Sequence, residues 1–129
     1  MKKTLISIFF VLFTIGCSNI STTKHDVTNQ EKLSLITLIG DIKSDLQAGD
    51  TQLFQESLVP SIRNSIVKTE ITNIDFSQIN IITSKPVFNK NTAKNVVAFV
   101  IGGNTLYFDV EYLLKNGKWK ISEFKERRG

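Results

Sequence analysis

The sequence predicts an α+β domain in which N-terminal helices cover one face of a four-stranded antiparallel sheet. Three observations carry this. Apolar residues recur at helical spacing through the first half of the chain, and from Ile74 onward the period falls from 3.6 to 2. The second half holds two tight-turn signals, Gly102-Gly103-Asn104 and Asn116-Gly117. Helices in one block followed by strands in another exclude the alternation of a βαβ fold. With 129 residues, 41% of them hydrophobic, the chain has room for one domain.

Each element follows from its own pattern. From Glu31 to Ala48 the residues Leu35, Leu38, Ile39, Ile42 and Leu46 fall on one helix face, with Ile36 on its flank. Gly49 stops that helix and Asp50 caps a second, carried by Leu53, Phe54 and Leu58 as far as Pro60. Pro60 suits the first turn of a third helix, Ser61 to about Lys68, in which Ile62 and Ile66 lie one turn apart. Ile74, Phe76 and Ile79 to Ile82 form a first strand that ends before Pro86, and Ala93 to Ile101 form a second. In the third, Leu106, Phe108, Val110 and Tyr112 alternate with Thr105, Tyr107, Asp109 and Glu111. Asn116-Gly117, a type I′ signal, turns the chain into a last strand from Lys118 to Phe124.

Ahead of the domain, residues 1–16 read as an export signal: Met1-Lys2-Lys3 is positive and the apolar run from Leu5 to Ile15 is 11 residues long. A membrane span needs about 20. Phe13-Thr14-Ile15-Gly16-Cys17 resembles the lipobox of bacterial lipoproteins, although Thr14 stands where leucine is commonest. That resemblance implies cleavage before Cys17, lipidation of its thiol, and an exported protein anchored to a bacterial membrane. Ser18 is similar to the signal that sends Gram-negative lipoproteins to the periplasmic side of the outer membrane. Residues 17–30, rich in Ser, Thr and Asn, form a flexible tether of about 20 Å root-mean-square reach. The domain proper is expected over residues 31–129.

The order of one long helix, two short helices and a meander, with Gly49-Asp50 between helices and Gly117-Lys118-Trp119-Lys120-Ile121 opening the last strand, is similar to the nuclear transport factor 2-like superfamily. The likeness runs over residues 30 to 125 and extends to small bacterial lipoproteins of unknown function. It implies a curved sheet and helices enclosing a conical pocket, in which the superfamily's isomerases place an aspartate base and a tyrosine or acid donor. A cystatin-like helix and sheet is the other fold that fits, without that inhibitor's Gln-x-Val-x-Gly loop.

Cys17 is the sole cysteine and His25 the sole histidine, so no intrachain disulfide, His-based metal site or Ser-His-Asp triad is expected, and neither metal nor cofactor. The lone His25 falls in the tether. If Leu106, Phe108, Val110 and Tyr112 face inward, Asp109 and Glu111 face away from the interior and no pocket base remains. Phe108, Val110 and Tyr112 are then the candidate pocket residues. The unbroken apolar run Val96 to Ile101 implies that the outer face of its strand is covered as well. The expected interface is Val97, Phe99, Tyr107 and Leu113, extended by Phe124, covered by the chain's own termini or loops, a second copy or an envelope protein.

The resulting expectation is a membrane-anchored binding module without catalysis. Its alternative is a pocket enzyme or small-ligand carrier of the ketosteroid-isomerase-like type, which a one-residue slip in register would favour by turning Tyr107 and Asp109 inward. Loss of Lys2 and Lys3 with the signal lowers the net charge from +4 to +2, so no nucleic-acid partner is expected. The remaining excess gathers at Lys115, Lys118, Lys120, Lys125, Arg127 and Arg128 against Glu123 and Glu126. It reads either as a solvated edge or as a docking patch for an anionic lipid, glycan or acidic partner.

Overall fold

The computed structural model describes residues 26–128. The expected export signal, Cys17, His25 and the first part of the tether lie outside the described residues. Thr28 starts the first helix with a capping box: its hydroxyl accepts the Glu31 N–H at 3.1 Å, and Glu31 Oε1 accepts the Thr28 N–H at 2.9 Å. Helix α1 therefore spans Asn29–Gln47 and absorbs the last residues assigned to the tether. Its buried stripe is Leu35, Ile39, Ile42 and Leu46, and it ends at Gly49, whose φ of 87° requires the left-handed region. Helix α2, Gln52–Ser57, buries Phe54.

Helix α3, Ile62–Ile71, is capped by Ser61, so Pro60 precedes the helix rather than filling its first turn. Ile62 and Ile66 are exposed and do not form the apolar face that their spacing suggests; the buried positions are Asn64 and Ile71. A polar side chain, beside the buried Ile71 and the half-buried Val67, holds this helix to the sheet. Asn64 Nδ2 donates to the Val59 carbonyl at 2.6 Å, with longer contacts to the carbonyls of Ile121 and Ser122. Asn64→Ala leaves those groups short of a donor in a buried place and is expected to cost about 1–3 kcal/mol in denaturant unfolding. A change below about 0.5 kcal/mol, the scale of an ordinary surface substitution, would show that α3 is held by something else.

The sheet has five strands rather than the four expected. They are β1 (Ile79–Thr83), β2 (Val87–Asn89), β3 (Thr92–Ile101), β4 (Asn104–Lys115) and β5 (Lys118–Glu126), all antiparallel, in the order β1-β3-β4-β5, with β2 also on β3. The extra strand arises because Ser84-Lys85-Pro86 breaks the edge in two: Pro86 has no N–H to give and restricts Lys85 before it. Ser84 spans the break, donating its N–H to the Val96 carbonyl at 2.9 Å and accepting the Val96 N–H on Oγ at 2.8 Å. Phe76 lies in a short 3₁₀ turn, Phe76–Gln78, and not in the first strand. Asn116 and Gly117 both have positive φ, 54° and 77°, as a type I′ turn demands.

A bulge decides which side of β5 faces the core. Glu111 pairs with Glu123 but Tyr112 pairs with Ile121, leaving Ser122 as the additional residue. Trp119 and Ile121 point inward before it, and Phe124 points inward after it, where strict alternation places Phe124 outside. Phe124 is thereby removed from the expected outer patch. Its ring stacks on Phe108 at 4.8 Å and meets Phe54 edge-on at 5.1 Å.

Candidate interaction surface

The inner face of the sheet is filled. Phe76, Phe99, Phe108, Phe124 and Phe54 make a continuous series of ring contacts, 4.8 to 5.7 Å between centroids, from one side of the core to the other. The space left between sheet and α1 is a cavity of about 30 Å³ lined by apolar side chains that include Ile39, Ile42, Phe54 and Val97. It has room for one or two waters, whereas ligand pockets run to several hundred Å³. Phe108, Val110 and Tyr112 do face this interior, as the alternation predicts; Val110 and Tyr112 line the small cavity, and Phe108 packs against the core beside it.

Tyr112 is a core residue whose hydroxyl is satisfied. It donates to Asn95 Oδ1 at 2.9 Å, and Asn95 Nδ2 donates to the Ser84 carbonyl at 3.1 Å. Burial pushes the phenol well above its ordinary pKa, against the smaller opposing effect of Asn95. The group neither ionises nor gives up a proton readily near neutral pH. The carboxylates are elsewhere: Asp75 caps the 3₁₀ turn through the Ser77 hydroxyl and N–H, which hold it below the ordinary range, and Asp109 and Glu111 lie on the outer face.

Two of the four expected interface residues belong to the core. Val97 pairs with Phe108 and Phe99 with Leu106, so Val97 and Phe99 share the inner face, where Phe99 is 2% exposed. Directly opposite residues of an antiparallel pair project to the same side, and Tyr107 pairs with Ala98. Tyr107 and Leu113 do lie on the outer face, Tyr107 with 49% of its surface exposed. Their neighbours there are residues that sequence reasoning missed: Ile82, 51% exposed, with Val96, Ala98 and Val100.

Across the strands these residues form rows. Ile82, Ala98 and Tyr107 make an apolar row, followed by Val96, Asp109 and Lys125, and then Lys94, Glu111 and Glu123. Arg127 grips Asp109 in a bidentate pair, Nη2 at 2.5 Å and Nε at 3.2 Å, while its N–H donates to the Tyr107 carbonyl at 2.7 Å. The guanidinium's hydrogen bonding to the carboxylate, with its charge, holds the Asp109 carboxyl below its ordinary pKa and raises that of Arg127. Lys94 Nζ is 3.9 Å from Glu111, and Arg63 reaches Glu123 at 2.6 Å. The charged rows line an open groove of about 570 Å³ beside the apolar row. The outer face is thus half apolar and half of mixed charge, with no described element covering Ile82 or Tyr107.

No helix among the described residues is long and apolar enough to cross a membrane. The chain matches no protein-family model and no curated protein at a significant level.

Proposed function

We propose that this chain is a bacterial envelope lipoprotein, anchored through lipid on Cys17, whose nuclear transport factor 2-like domain works as a binding module and not as an enzyme. The observation that carries the binding reading is the pairing of a filled interior with an uncovered outer sheet face. A pocket enzyme needs an ionisable group beside room for a substrate, and here the inward tyrosine is satisfied and the cavity holds water at most. The partner on the outer face is a second copy of this chain. Its apolar row lies beside charged rows of both signs, so a two-fold arrangement sets apolar against apolar and lets cations such as Lys94 and Lys125 meet the other copy's Glu111 and Glu123. The anchor reading is supported by the 11-residue apolar run ending in Gly16-Cys17.

Sedimentation of the detergent-solubilised lipoprotein tests this. Self-association is expected for the wild type, and its loss for Ile82→Lys/Tyr107→Lys with an unchanged circular dichroism spectrum. A wild type that stays monomeric at all concentrations would refute the self-pairing. Cys17→Ser should abolish labelling by a fatty-acid precursor and release the chain from membranes, and an unmodified Cys17 in the mature protein would end the anchor reading.

A further inference from the structure

The domain has two poles, and their charges differ. At one, the chain enters α1 beside the β2–β3 and β4–β5 turns: Trp119 Nε1 donates to the Glu31 carbonyl at 2.9 Å, and the Leu114 N–H donates to the Asn91 carbonyl at 2.8 Å. Four lysines converge there. Lys90 is at the tip of the β2–β3 turn, held at a φ of 56°; Lys115 and Lys118 close the β4–β5 turn; and Lys32 lies in the first turn of α1, its Nζ 5.5 Å from the Phe88 ring centre. The carboxylates at this pole are Asp26 and Glu31, the latter occupied in the capping box. The opposite pole, with the Gly102-Gly103 turn and the end of β5, carries Asp50 and Asp75 as well as Arg127 and Arg128.

One detail of the lysine pole needs an explanation. Lys115 and Lys118 are direct cross-strand partners, both exposed, and like charges facing each other destabilise a hairpin. The type I′ turn between them asks only for Asn-Gly and leaves the flanking pair free to be of opposite sign. An anionic surface in front of the turn converts this repulsion into a joint attraction.

We infer that this lysine-tipped pole rests on the anionic headgroups of the bilayer that carries the anchor, so that the domain stands with its opposite pole outermost. The inference rests on the lipid-anchor reading of Cys17. The chain from Cys17 to Asp26 spans at most about 30 Å even when fully extended, and it joins the domain at the lysine pole. The 19 residues of α1 carry the other pole about 28 Å further away. The root-mean-square reach of a flexible chain of that length, about 17 Å, is shorter than this separation, so the anchor favours the lysines, over the mixed pole, as the part nearest the membrane. Each lysine near an anionic surface favours the docked state roughly five-fold, within the reach of a Debye length of about 8–10 Å.

Trp119 is the sole tryptophan and lies at this pole, next to Lys118. The experiment is energy transfer from Trp119 to dansyl-labelled headgroups, using the lipidated protein reconstituted in vesicles of phosphatidylcholine alone or with one-third phosphatidylglycerol. Transfer is expected to be higher on the anionic vesicles and to fall to the neutral value in high salt. Lys90→Ser/Lys115→Ser/Lys118→Ser should lower the docked-to-undocked ratio on the order of 100-fold and leave at most the small difference due to Lys32. Equal transfer on both vesicles for the wild type, or a difference that survives the triple substitution undiminished, overturns the inference. So does a triple variant that keeps the transfer but loses an acidic envelope protein that the wild type captures. Flotation keeps the two readings apart. If the Cys17→Ser chain floats with neutral vesicles as the wild type does, the anchor reading fails; if only the wild type floats yet transfer ignores lipid charge, the anchor stands and the docking fails.

Discussion

Phe99→Lys is expected to unfold the domain, and Tyr107→Lys to leave it folded. The two positions are close along the β3–β4 hairpin and both are aromatic, so the contrast rests on the sheet face alone. The Phe99 ring lies 4.8 Å from Phe108 and 5.7 Å from Phe76 and is 2% exposed. Truncating such a ring costs about 3–5 kcal/mol, and an ammonium in its place adds the expense of a buried, unpaired charge. A domain of this size has about 5–15 kcal/mol in total, so little or none of the stability is left. Tyr107 instead puts half its surface in water, and its carbonyl, which accepts from Arg127, is untouched by a change of side chain. Its substitution is expected to stay within about 1 kcal/mol. Thermal melting followed by circular dichroism separates the cases, and a folded Phe99→Lys would reverse the assignment of the faces.

That contrast also shows what in the sequence was legible. The helix–sheet division, the stripe of α1 and the inward set Phe108, Val110 and Tyr112 followed from periodicity, because each pattern is long enough to overrule a single odd residue. The face of β3 did not, since Val96 to Ile101 is apolar at every position and carries no period to read. The missing information lay in the turn. A two-residue link at Gly102-Gly103 pairs Ile101 with Asn104, and counting back brings Ala98 opposite Tyr107 and Phe99 opposite Leu106. Once Tyr107 is outside, Phe99 must be inside. Phe124 was hidden for a different reason: nothing in Ile121-Ser122-Glu123 signals a bulge, which is held by contacts from a distant segment, Asn64 of α3 and the Val59 N–H before it reaching its carbonyls. The exposed Ile62 and Ile66 have a related origin, because α3 docks through that asparagine together with Val67 and Ile71, a stripe that leaves Ile62 and Ile66 outside.

Trp119→Ala is expected to cost about 3–5 kcal/mol, through two losses that a second variant separates. The indole is 6% exposed, lies 5.9 Å from the Phe88 ring and pairs across the hairpin with Leu114, so its removal opens a void between β5, β2 and the start of α1. It also removes the Nε1–H that donates to the Glu31 carbonyl, a contact linking residues 88 apart in sequence. Trp119→Phe keeps a six-membered ring in the site, loses the donor and leaves a smaller void, so it should cost about 1–2 kcal/mol, less than the alanine change. Denaturant midpoints measure both, with the slope of the transition unchanged if the denatured state is unaffected. Should Trp119→Phe cost as much as Trp119→Ala, the hydrogen bond and not the packing fastens α1 to the sheet. If both are near neutral, the indole is not part of the core, and the convergence of α1 and the β4–β5 turn at one pole loses its main support.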